Sequence, residues 1–210
     1  MWQHNHEEAS FMPNLNENRY LSPFRLEYWR QALQETRSLR SLVIAALLSA
    51  ISIAMGALFI PVGESLRVYF SFIPRALLGM ICGPIVGLAA GAVIDVTEFF
   101  LFPSGFSFFP GYTLNTMLGL FFYGLFLYKQ KPNLPRLVGA RVCIAYLVNV
   151  GLGSLWNAIL FKKAFWFYAA KSLVKNTAMI PVEVVVLLLL FQALAPALRR
   201  FGLTPENPQQ

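Results

Sequence analysis

Between Arg40 and Glu64 the chain runs for 23 residues, Ser41 to Gly63, without a charge. A bilayer core of about 30 Å takes about 20 helical residues to cross. The run must therefore lie in lipid or be buried on every side. Composition decides between the two. Of the 210 residues, 57% are hydrophobic and 13% are charged, with a mean hydropathy of +0.56, whereas soluble domains carry about 25% charge. A soluble fold, disorder and a collagen are excluded, and Cys82 and Cys143 are too few for a disulfide scaffold.

Lipid leaves no backbone group unsatisfied, so long apolar segments there are helices. Further segments at about 73–82, 84–102, 110–129, 138–161 and 174–198 predict six spans, an all-α membrane domain over 41–200. The second span is short, and Gly83-Pro84 separates it tightly from the third. Residues 1–21 read as a polar tail, 22–40 as an amphipathic interfacial helix and 201–210 as a second tail. In that helix Ser22 is the predicted N-cap before Pro23, and Leu26, Trp29, Leu33 and Leu39 the predicted apolar face.

The formal charge is +7, and all of it lies beyond residue 40, because residues 1–40 hold five acids and five bases. Placing both termini in the cytoplasm puts five tail arginines, Lys129, Lys131, Arg136, Arg141, Arg199 and Arg200 inside. Arg67, Arg75, Lys162, Lys163, Lys171 and Lys175 then lie outside, against the positive-inside tendency. Such a cationic rim can gather an anionic solute or bind lipid phosphates.

Catalysis fails by subtraction. His4 and His6 lie in the polar tail, the two cysteines have no metal spacing, and no nucleotide-binding glycine loop is present. No enzyme, metal or cofactor is expected. Gly83, Gly87 and Gly91 recur every four residues as a packing face. Binding is better supported. Residues 99–112 hold seven aromatics, two prolines and two glycines, which make either an interfacial belt or the wall of a pocket. Asp95, Glu98 and Glu183 lie within spans, where a carboxylate faces the bundle interior or a cavity. Asp95 and Glu98 share a helix face, where a carboxylate could accept hydrogen bonds from an amino-pyrimidine edge or pair with Arg75 or Lys175. Ala46, Ala50 and Ala54 form a small-residue stripe on the first span, open to a helix of this bundle or of a partner.

The stretches SPFRLEYWRQAL (22–33), LVIAALLSAISIAMGALFIPVGESLRVYFSFIP (42–74), GPIVGLAAGAVIDV (83–96), LFPSGFSFFPGYTLN (101–115) and SLVKNTAMIPVEVVVLLLLF (172–191) carry a family resemblance. In order, over nearly the whole chain beyond residue 20, they resemble the substrate-binding S components of energy-coupling factor (ECF) vitamin transporters, and within them the folate type. The resemblance implies a six-helix protein of the bacterial cell membrane that takes a vitamin from outside. It would deliver the vitamin to a transmembrane T component with two ABC ATPases, docking through Ala46, Ala50 and Ala54. It further implies a pocket built from the outer loops. Phe106, Phe109, Tyr112 and Trp156 would meet the rings of folate, Arg67, Lys171 and Lys175 its carboxylates, and Asn157 and Asn176 its polar edge. The folate type commonly has an Arg where Lys171 stands and LLNTLWL where GLGSLWN (151–157) stands, and Glu98 is unusual for it. Another pterin-like or anionic heterocyclic vitamin, or an assembly subunit without cargo, are the alternatives.

Overall fold

A computed structural model describes residues 21–57, 59–62, 66–102, 107–162 and 164–203. The predicted tail at 1–21, apart from Leu21, and most of 201–210 lie outside the described residues. Helix α1 (Leu26–Glu35) leads through a short turn into α2 (Leu39–Gly56), which Ser38 caps by accepting from the Ser41 amide. An antiparallel hairpin follows, β1 (Phe59–Val62) with β2 (Leu66–Tyr69), in the register Ile60 to Val68 and Pro61 to Arg67. Then come α3 (Phe72–Leu101), α4 (Pro110–Leu127) and α5 (Leu134–Cys143). A π-helical segment, Ile144–Leu152, joins α5 to α6 (Gly153–Phe161), and α7 (Phe165–Arg200) ends the bundle.

The all-helical expectation needs one correction, the hairpin. FIPV reads as the apolar end of the first span and LRVY as part of the outer connection. Yet the two pair in register, with β-branched and aromatic residues opposite one another at Ile60–Val68 and Phe59–Tyr69. The first span accordingly ends at Gly56, not Gly63. The last helix begins at Phe165, earlier than 174.

Gly83 sits at φ 83°, ψ 177°, which only glycine adopts readily, and Pro84 cannot donate to the helix behind it. The chain reverses there. Arg75 and Glu98 are 23 residues apart, about 34 Å along an unbroken helix, yet their side chains meet at 2.8 Å. The first half of α3 runs antiparallel to α2, with Cys82 Sγ 3.4 Å from the Ser41 carbonyl at one end and Arg75 Nε donating to Ser52 at 2.9 Å at the other. The second half packs on α4 along the predicted glycine face. A Cβ on Gly91 would stand 2.6 Å from Met117 Cα, so the backbones touch.

Among the described residues four helical units are long and apolar enough to cross a bilayer: α2, α3, α5 with α6, and α7. The Arg40 side chain reaches the Phe201 carbonyl, so the start of α2 and the end of α7 share one end of the bundle. Helix α1 starts at Leu26, with Arg25 rather than Ser22 at the N-cap position and no side-chain cap. The predicted face divides: Trp29 stacks on Phe121 of the bundle at 6.2 Å, while its leucines point outward. Tyr28 and Ala32 are buried against the bundle, whereas Leu26 and Leu33 are 82% and 56% exposed.

Arg141 is a second correction. Counted from sequence as a loop cation, it lies within α5, 5% exposed, ion-paired with Glu183 of α7, itself 8% exposed. Its guanidinium also donates to the Tyr123 hydroxyl at 2.8 Å and lies over the Phe72 ring. Glu183 thereby gains a role that its place after Pro181 did not suggest.

Candidate ligand-binding site

At the end opposite Gly83, the end of α2, β2, the end of α3, the start of α4 and the end of α6 converge. Pro110 at the first turn of α4 follows the extended Phe109. Lys162 ends α6 in the left-handed conformation. Between these elements opens a cavity of about 820 Å³, walled by Tyr69, Phe99, Phe108, Phe109, Tyr112 and Phe161, with Asp95, Glu98 and Asn157 as polar members. Edge-to-face contacts order the rings: Phe109 is 5.8 Å from Tyr112 and 5.7 Å from Trp156, and Phe99 is 5.2 Å from Phe108.

A second, polar cavity of about 230 Å³ lies between α3, α4, the π segment and α7. Arg75, Asn115, Thr116, Asn149, Lys175 and Asn176 line it, and the Arg141–Glu183 pair reaches it too. Tyr69 lines both cavities. Hydrogen bonds build the partition. Trp156 Nε1 donates to Asn115 at 3.1 Å, and Asp95 accepts from Thr113 at 2.7 Å and Thr116 at 3.0 Å. Asn149 donates to Asn176 at 2.8 Å, and the Tyr112 hydroxyl donates to Asn157 at 2.9 Å. Of the two carboxylates on the shared face of α3, Glu98 pairs with Arg75 at 2.8 Å, as one of the two expected alternatives had it.

Of the residues singled out from sequence, Phe109, Tyr112, Trp156 and Asn157 gather at the larger cavity, and Lys175 with Asn176 at the smaller. Lys171 is exposed and lines neither. Arg67 stands in β2 opposite Pro61, and Phe106 lies outside the described residues. Sequence reasoning missed Tyr69, Asn115, Thr113 and Thr116. Asn115 and the two threonines carried a usable signal, polar groups inside an apolar span; Tyr69 carried none. Ala46, Ala50 and Ala54 are exposed along α2, while Ala45, Ser49 and Ser52 face the bundle.

Residues 40–191 match the family model of the ECF transporter substrate-specific component, and the chain belongs to that family. It is a membrane protein that binds a transporter's substrate, not an enzyme. Its relatives include the folate transporter FolT of Clostridium novyi (strain NT), 37% identical over 122 residues, 58% of this chain and 70% of the relative. The folate transporter FolT of Streptococcus mutans is 28% identical over 166 residues, covering 76% and 87%. Among solved structures, a crystal structure of FolT bound with folic acid superposes with a TM-score of 0.62 at 30% identity, over 70% of this chain and 89% of that one.

Proposed function

We propose that this chain is the folate-binding S component of an ECF importer in a bacterial cell membrane. The observation that carries the reading is the pairing of an aromatic cavity with a polar one across a shared Tyr69. Folate is long, flat at the pterin and dianionic at the glutamate. Phe109, Tyr112 and Trp156 suit stacking on its rings, an interaction worth about 1–3 kcal/mol per ring in the nucleobase case. Asp95 and Asn157 suit the N–H-rich pterin edge, and Lys175 with Asn176 suits a carboxylate. Arg67 and Lys171 belong to the outer rim in this reading. The relatives named for folate and the neighbour holding folic acid support the choice of ligand.

Counting the halves of α3 separately gives six helical passages, with both termini cytoplasmic. The contact between Arg40 and Phe201 supports an even number. The exposure of Ala46, Ala50 and Ala54 supports α2 as the surface for a T component, which would carry two ATPases.

The test is titration of the purified protein with folate, read by tryptophan quenching and calorimetry. Saturable tight binding is expected. Lys175→Ala should weaken folate tenfold or more, as a lost charged hydrogen bond of about 1.5–3 kcal/mol requires, but leave pteroate, which has no glutamate, unaffected. Lys171→Ala should cost about twofold at most, because Lys171 lines neither cavity. A flat titration overturns the folate assignment, and equal losses for folate and pteroate overturn the role of Lys175.

A further inference from the structure

We propose, resting on the folate reading above, that Glu98 makes this receptor select reduced folates over folic acid. It does so by accepting a hydrogen bond from the N8–H that dihydrofolate carries and folic acid lacks.

Charge in the aromatic cavity is mismatched to the cargo. The described residues that line it include two carboxylates, Asp95 and Glu98, and no cation. Folate is itself dianionic, and like charges brought together oppose binding. Carboxylates in that wall become favourable only where the ligand turns N–H donors toward them, because such bonds are charge-assisted.

Glu98 is held ready for a donor. Arg75 takes Glu98 Oε1 at 2.8 Å and is fixed in turn by Ser52 at 2.9 Å, so the cation stands behind Glu98 and borders the other cavity. That leaves Oε2 to the aromatic cavity. Gly56 of α2 makes the room, since a Cβ there would stand 3.0 Å from Glu98 Oε1. Asp95 is held by other means, accepting from Thr113 at 2.7 Å and from Thr116 at 3.0 Å. A carboxylate has about four lone-pair sites, so Asp95 keeps acceptor capacity for a ligand.

The spacing suits one edge of a pterin. Asp95 and Glu98 are three residues apart on α3, which sets their Cβ atoms about 5–6 Å apart. Along the ring, N3–H, the 2-amino group, N1 and N8 follow one another. Asp95 on the first two donors leaves Glu98 opposite N8. In dihydrofolate and tetrahydrofolate N8 carries hydrogen and donates. In folic acid it presents a lone pair, which a carboxylate repels. Glu98 therefore discriminates twice, by a bond to one form and by repulsion of the other.

The test is calorimetric titration of the purified full chain with folic acid and with dihydrofolate, under argon. Dihydrofolate should bind about ten- to a hundredfold more tightly, the range of one hydrogen bond to a charged group. An 8-deaza analogue of dihydrofolate, with carbon in place of N8, should lose that advantage, and this comparison needs no substitution in the protein. Glu98→Gln should reverse the order. Arg75 retains the amide oxygen, so the NH2 group turns to the cavity, where it suits the N8 lone pair of folic acid and opposes N8–H. Asp95→Asn should weaken both ligands by the same factor, because the edge that Asp95 meets is common to them. Equal affinity of the unaltered protein for the two ligands overturns the proposal and leaves the folate reading standing. An 8-deaza analogue that keeps the advantage, or a Glu98→Gln protein that keeps the original order, does the same. Binding of neither ligand overturns the folate reading and the selection with it.

Discussion

Replacing Glu183 by alanine should destabilise the protein more than any change in its aromatic mouth. The substitution leaves the Arg141 guanidinium 5% exposed with the Tyr123 hydroxyl and the faces of Phe72 and Tyr123 as its remaining support. Stripping one partner from a buried ion pair costs about 3–5 kcal/mol. Both side chains also border the polar cavity, which lets water reach the orphaned charge, so the lower end applies. At about 2–4 °C per kcal/mol for a chain of this length, the midpoint should fall by about 6–12 °C. The assay is thermal unfolding of the detergent-solubilised protein, followed by intrinsic fluorescence and by loss of monodispersity. A second variant isolates the cause. Arg141→Met with Glu183→Leu removes both charges and fills the same space, and such replacements of buried pairs are neutral or stabilising. It should recover most of the lost midpoint. A Glu183→Ala shift below about 2 °C, or a double variant no better than the single one, would refute the reasoning, because the pair would then be hydrated rather than buried.

Gly91→Leu should abolish folding or lower the thermal midpoint beyond any exposed substitution, since even its Cβ would stand 2.6 Å from Met117 Cα. Membrane expression with fluorescence-detected gel filtration measures this, and Gly119→Leu, which meets open space, is the control. Ala46→Trp and Ala50→Trp, both on the exposed face of α2, should abolish uptake of labelled folate by cells and leave binding by the purified protein intact. Uptake surviving both changes would remove α2 as the docking face.

Much of the helical scaffold was legible because hydropathy acts over whole segments. The break at Gly83-Pro84 was legible because two local rules, a left-handed glycine and a missing donor, coincide at one place. The aromatic mouth was legible for the same reason, its rings and turn residues being contiguous in sequence. The hairpin escaped, since four-residue strands leave little periodic signal inside an apolar stretch. Arg141 was misread because α5 begins at Leu134, which sets the arginine two turns inside the helix, and its partner lies on a different helix altogether. Long-range pairs of this kind have no local signature. The same holds for the bond from Trp156 to Asn115, which joins α6 to α4.

The contact between Arg75 and Glu98 has a consequence for how the two cavities respond to one another. It closes the open end of the α3 hairpin opposite Gly83, so the two halves form a ring fastened at both ends. Arg75 borders the smaller cavity and Glu98 the larger. An occupant that draws either side chain toward itself weakens the fastening and is felt by the other. By linkage, the energy that one part of a ligand spanning both cavities spends on loosening the ring is an energy its other part need not spend. The two compartments are therefore energetically a single receptor, however separate their walls.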